Sequence, residues 1–262
     1  MKPTIGLFIG ISALLGAALA CSLPIQQTGP VQTQSEVVEL GAANSANVEI
    51  TMGAGELHVH GGASNLMEAE FTYNIEDWQP EVVYSVSGEI GQLSIKQPET
   101  DIAGIPDGDI RYEWDLRFID GVPLDLEIDL GAGESTIDLG SLSVGNLQMR
   151  TGAGRVSALL GGSQLTGADI NAGVGETTID LSGDWQNNAE ISIGAGVGDL
   201  TVIVPSGVGA IVNVDVGIGD ISADGFRVQG GSYTNEAYGD SAVTISVDIE
   251  GGIGQITLQV GG

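Results

Sequence analysis

The chain has 262 residues, room for one or two domains with an ample core, and 42 of them are glycine. Aliphatic alternation persists along its length, which excludes a disordered glycine-rich tract. Seven basic residues against 35 acidic ones give a net charge of −28, which excludes nucleic acid as a partner, because phosphate binding needs clustered Lys and Arg. The same charge repels anionic lipid headgroups and, at its simplest, keeps the protein soluble.

Residues 1–20 have the layout of a secretion signal. Lys2 supplies the positive start, Ile5 to Leu15 the apolar segment, and Gly16-Ala17-Ala18-Leu19-Ala20 the small-residue exit. The apolar run is slightly short of the ~18 to 20 residues of a comfortable membrane span. Cys21, the only cysteine, follows directly, so no internal disulfide can form and packing alone must hold the fold. Ala18-Leu19-Ala20-Cys21 resembles the lipobox of bacterial lipoproteins, with Ala18 where that motif usually carries leucine. The resemblance implies a lipidated Cys21 that anchors the mature chain to a membrane through several acyl chains. An ordinary signal peptide or an uncleaved anchor is the alternative. Ser22 to Ser35, with Pro, Gln, Thr and Gly and no apolar period, makes 21–37 a flexible tether.

Residues 38–125 form an N-terminal β region. Val48, Ile50 and Met52 alternate before Gly53-Ala54-Gly55, and Leu57 and Val59 alternate after it. Glu68 to Tyr73, Glu81 to Val86, Gly91 to Lys96 and Arg111 to Phe118 read as further strands, and Pro98 to Asp109 as a loop. In 126–262 the same arrangement becomes regular. Gly131-Ala132-Gly133, Gly152-Ala153-Gly154, Gly173-Val174-Gly175, Gly196-Val197-Gly198 and Gly217-Ile218-Gly219 recur at about 21 residues, the signature of a solenoid. Gly252-Ile253-Gly254 follows at a distance. Alternate residues on both sides of each triplet are apolar, as in Leu126, Ile128 and Leu130 before Gly131 and Ile137 and Leu139 after Gly133, so each set lines the core. The glycines mark a corner where side chains would crowd, and the apolar middle residue is expected to point inward. No segment carries a helical period. Phe226 to Ser241 interrupts the array and, with the first interruption, is a candidate cap for the open ends.

Stacking in chain order predicts outward columns. In the first, Arg155 lies between Glu134 and Glu176 and bridges both, Arg150 faces Asp129, and Asp199 and Asp220 are repelling neighbours. The second is a hydroxyl ladder of Thr136, Ser157, Thr178, Thr201 and Ser222, most simply a solvated face of good β-formers. Gly-x-Gly-Asp at 196–199 and 217–220 faintly resembles the calcium β-roll, whose nine-residue period is absent here. His58 and His60 lie on one strand without a nearby cysteine and read as surface residues. A carboxylate pair of glycosidase type stays open, but nothing singles one out. Trp78, Trp114 and Trp185 could stack sugars, though packing is their commoner role. No catalytic residue, cofactor or metal is expected.

Trp114-Asp-Leu-Arg117, the run Gly121 to Ser135 and the ending Ile249-Glu-Gly-Gly-Ile-Gly-Gln-Ile256 resemble the bacterial toast-rack family of LiaF-like envelope proteins, from about Val38 to Val260. The resemblance implies an all-β, single-stranded right-handed β-helix, extracytoplasmic and sometimes associated with envelope-stress signalling. The multiple N-terminal membrane helices of the LiaF arrangement are missing. The expected function is therefore a lipid-anchored binding or scaffold module of the cell envelope with an envelope protein as partner. The alternative is a surface adhesin or a polysaccharide-active β-helix enzyme.

Overall fold

A computed structural model describes residues 28–98 and 109–261. The signal segment and Cys21 lie outside the described residues, as does most of the Pro98–Asp109 loop. Strand β1 (Gln32–Val38) begins inside the segment read as a tether, pairing antiparallel with β3 (Met67–Tyr73). Its alternation of Val38, Glu36 and Gln34 lacks a strong apolar set, which is why composition alone suggested a linker.

The unit of the fold is a single long strand bent at the glycine triplet. Strands β2 (Ser45–Ala63), β7 (Pro123–Asp138), β8 (Ser143–Leu159), β9 (Gly167–Asp180) and β10 (Ala189–Pro205) stack in parallel, with the triplets in register. In β7 the first arm buries Leu126, Ile128 and Leu130 and the second buries Ile137 and Leu139, as the alternation predicts. The far end of each coil is a tight turn. Asp138 Oδ1 accepts the N–H of Gly140 at 2.9 Å, and Asp180 Oδ1 accepts that of Ser182 at 2.8 Å, the side chain acting as a local turn former. The two extra residues of the 182–188 turn accommodate Trp185, which is buried and donates its indole N–H to Leu181 O at 2.7 Å.

The corner explains the glycines. At Gly154 the backbone turns to φ +140°, and a Cβ there would overlap the carbonyl oxygen of Gly133 in the coil below. The middle residue, however, points outward. Val174, Val197, Ile218 and Ile253 are all exposed, contrary to the inward expectation. The two arms bury residues of opposite parity, Leu130 one before the triplet but Ser135 two after it. The triplet therefore absorbs one step, and the middle side chain is turned to solvent.

The order of stacking differs from the order in sequence. Gly53-Ala54-Gly55 is not remote: β2 lies directly on β7, Gly55 opposite Gly133. On the other side of β2, β5 (Ile90–Lys96) pairs with the first arm and β6 (Tyr112–Ile119) with the second, together making one more coil whose two arms are separate strands. Gln97 substitutes there for a glycine corner, its Oε1 accepting the N–H of Gly53 at 2.7 Å. Antiparallel strands then close this end: β4 (Glu81–Ser87) on β5, β3 on β6, and β1 on β3. At the other end the last coil is β11 (Gly209–Ile218) with β12 (Ile221–Ala223), covered by the hairpin β13 (Arg227–Gln229) and β14 (Ser232–Thr234). The chain then returns, and β15 (Thr244–Ile253) and β16 (Ile256–Gly261) enter between β10 and β11–β12. The triplets thus stack as 53, 131, 152, 173, 196, 252, 217. The result is an all-β solenoid, with one 3-10 turn at Glu76–Trp78 the only helical segment among the described residues.

Candidate functional site

The first arms of the coils form one face of the solenoid, and their outward residues meet across strands about 4.8 Å apart. An open groove of about 980 Å³ runs over this face, crossing β4, β5, β2, β7, β8, β9, β10 and β15. Its carboxylates are Glu49, Asp125, Glu127, Asp169, Glu190 and Asp248, and its amides Asn47, Gln92, Asn146 and Gln148. Ser85, Ser94, Thr166 and Ser192 add hydroxyls. These residues share the face because every second position of each strand points outward while its neighbours, Val48, Leu126, Leu147, Ala168 and Ile191, are buried.

Cross-strand bonds organise the groove. Lys96 Nζ lies 2.7 Å from Glu49 Oε1 near one end. In the middle, Arg150 lies 2.8 Å from Glu127 and 2.9 Å from Asp129 and also donates to Gln148 Oε1. The hydrogen bonds that Arg150 donates to Glu127 and then to Asp129 raise its guanidinium further above its ordinary value. The Asp129 contact follows from the stacking register; the Glu127 contact, a step along the same strand, did not emerge from the column analysis. Gly145 introduces a bulge opposite Leu124–Asp125, and Asp125 Oδ1 accepts both the backbone and side-chain N–H of Asn146, at 3.1 and 2.9 Å. At the far end Asn213 donates to Asp248 at 2.8 Å and accepts from Ser232 at 2.7 Å, tying the groove to the terminal hairpin.

The second arms carry the columns that sequence singled out. Arg155 bridges Glu134 at 3.1 Å and Glu176 at 3.0 Å, and its pKa is raised chiefly by the Glu176 hydrogen bond. Asp199 and Asp220 are not neighbours. The inserted coil puts Gln255 between them, with the Gln255 N–H directed at Asp199 Oδ1 at 3.4 Å. The same insertion lengthens the hydroxyl ladder by Thr257, between Thr201 and Ser222. His58 is exposed, and His60 Nε2 lies 3.2 Å from Asp115 Oδ1. Among the described residues no three His, Cys, Asp or Glu side chains converge as a metal-ligand set. The tryptophans do not line the groove. Trp114 and Trp185 are buried, and Trp78 packs edge-on against Tyr112 with ring centroids 5.3 Å apart.

Chemically the groove offers hydrogen-bond donors and acceptors at every coil step above a floor that includes Val48, Leu93, Leu126 and Leu147, an arrangement for holding an extended partner. A solved structure of a proposed cell adhesion protein from Clostridium sporogenes is similar to this chain at 29% identity and a TM-score of 0.70, over 88% of this chain and 100% of that one. A proposed adhesin from Bacteroides fragilis matches at 14% identity and a TM-score of 0.36, over 88% and 99% of the two chains. No curated protein matches in sequence. The model of the N-terminal domain of toast_rack, DUF2154, matches residues 27–164 and again 146–203, an overlap that the repeating coil makes possible. With that match spanning well over half of the sequence, on a stack of coils cornered by glycine, the chain belongs to the toast-rack family.

Proposed function

We propose that the protein is a lipid-anchored binding or scaffold module on the extracytoplasmic side of a bacterial envelope membrane, and that the polar groove receives its partner. The groove carries this reading, because a strip that repeats its donors and acceptors at each coil suits an extended polymer or polypeptide. The Clostridium sporogenes protein, named for cell adhesion, supports an adhesive version of the same role. Cys21 supplies the anchor, and a link to envelope stress follows the LiaF-like likeness.

The test is fractionation and capture with wild type, Cys21→Ser and the groove variant Asn146→Ala/Gln148→Ala/Asp169→Asn, whose three positions are exposed. Wild type should sediment with membranes and Cys21→Ser should be released. The groove variant should stay anchored but retain at most one tenth of the envelope material that wild type captures. Equal membrane association of both Cys21 forms refutes the anchor, and unchanged capture by the groove variant refutes the groove.

A further inference from the structure

The outward-pointing middle residues of the triplets form a column of their own. In stacking order they are Ala54, Ala132, Ala153, Val174, Val197, Ile253 and Ile218, held in register by the parallel pairing. The last four are 56%, 48%, 52% and 68% exposed. Each stands between two glycines, which the close stacking of the coils requires, so no neighbouring side chain on its own strand shields it. The ridge is therefore an apolar line about 14 Å long, three steps of the ~4.8 Å strand spacing. Most exposed apolar residues occur singly and need no explanation, but a contiguous, graded row is a mark of an interaction surface.

Both banks of this row carry carboxylates, three on one side and two on the other. On one side, directly after the triplets, lie Glu176, Asp199, Gln255 and Asp220; on the other, two residues before them, lie Asn171, Gly194, Glu250 and Asp215. Arg155 reaches Glu176 at the alanine end, and neither bank supplies a basic residue along the Val–Ile stretch. A second copy would set acidic banks against acidic banks on a chain of net charge −28. An anionic bilayer would be repelled in the same way. The spacing selects further: same-face side chains of a strand advance about 6.7 Å, whereas three residues of a helix advance about 4.5 Å, close to the ridge step.

We propose that the Val174–Val197–Ile253–Ile218 ridge docks a cationic amphipathic helix, its apolar stripe on the ridge and its Lys or Arg residues on the two carboxylate banks. This surface is separate from the groove, and the proposal does not depend on the groove's partner. The probe is a labelled, amidated helix of about 18 residues built from Leu and Lys with one apolar face, long enough for five turns. The controls are its Leu/Glu counterpart and a Leu/Lys scramble without the stripe. The full chain carrying Cys21→Ser is used, which leaves the ridge unaltered.

Wild type should bind the Leu/Lys helix at least tenfold more tightly than either control, with affinity falling as salt is raised because the exposed carboxylates are screened. Val174→Thr/Val197→Thr/Ile253→Thr/Ile218→Thr, which keeps β-branched shape and strand propensity, should lose at least tenfold. Asp199→Asn/Asp220→Asn/Asp215→Asn should lose affinity and most of the salt dependence, while the groove variant should bind as wild type does. Equal binding of the Leu/Glu helix, or no loss in the Thr variant at unchanged melting temperature, overturns the proposal. It is also overturned if sedimentation shows a wild-type dimer that the Thr variant dissolves, or if anionic vesicles bind wild type and not the Thr variant; the occupant is then a second copy or a bilayer.

Discussion

At one end of the stack, β1, β3 and β4 cover the outermost parallel strands with antiparallel pairings of seven residues each, whereas at the other β13 and β14 cover β11 over three. The difference extends inward. The first end packs an aromatic cluster, with Phe71 edge-on to Trp114 at 5.4 Å and Trp114 to Tyr112 at 5.7 Å, and Phe71, Trp114, Leu116 and Phe118 are fully buried. The second end has no comparable core: β13 is exposed throughout, and β12 and β14 are only half-buried. What holds it is polar. Asn235, nearly inaccessible, accepts the Ala210 N–H at 3.0 Å and donates to the carbonyls of Pro205 and Val208, both at 2.7 Å. A parallel stack leaves unpaired backbone at both ends. Here one end is closed by apolar burial and the other by a hydrogen-bonded clamp.

The two closures should fail differently. Trp114→Ala removes a large side chain from a sealed core, and we expect a loss of about 3 to 5 kcal/mol in global stability, read from urea unfolding. Because this end is one packed body, the loss should weaken or abolish protection of amide hydrogens from β1 through β7 together. Fraying confined to β1 would instead mean that the aromatic cluster does not unite the end. Asn235→Ala should cost less, about 1 to 3 kcal/mol for the donor and acceptors left without a partner. Its signature should be local. Hydrogen exchange should rise in 205–240 while the tryptophan-end amides keep their protection, and a uniform rise would contradict the division into two closures.

Much of this architecture is written plainly in the sequence. Alternation about the triplets identifies the core-facing residues of every regular coil, and the 21-residue step places Arg155 between Glu134 and Glu176. What the pattern does not carry is stacking order. Every triplet offers the next the same bare glycine surface, so nothing in the 252–254 corner specifies that it lies between 196–198 and 217–219. The order comes from connections: the short β11–β12 coil leaves a place that only the returning chain fills. The split coil of β5 and β6 is hidden for a related reason, because no glycine triplet joins its two arms and Gln97 bonds the Gly53 corner instead. The groove was less legible than the ridge of apolar middle residues, and yet the ridge was assigned to the wrong side. Apolar character argues for burial only until geometry removes the choice. Where two arms of opposite parity meet, one residue must be thrown outward whatever its chemistry.

The finest distinction between the ends lies in a surface acid. Glu68 Oε1 accepts the Ser64 N–H at 3.0 Å and the Asn65 side-chain N–H at 3.2 Å, and Arg117 lies 3.3 Å from Oε2, so the turn after β2 is tied across β3 to β6. The Ser64 backbone donor, then Asn65, then Arg117 hold this carboxyl below its ordinary value of 4.5, with partial desolvation acting the other way. A depressed folded-state pKa means that the ionised form favours the native state. The contribution is thus present above the unfolded value and lost as pH falls through the folded one. Wild type should melt slightly above Glu68→Gln at about pH 7, and the two should converge as the pH is lowered past the carboxylate range. The carboxylate is only partly buried and is still screened by solvent, so the effect should be the smallest of the three. If the gap persists undiminished in acid, then Glu68 acts through the shape of its hydrogen bonds and not through its charge, and the N-terminal closure is apolar packing alone.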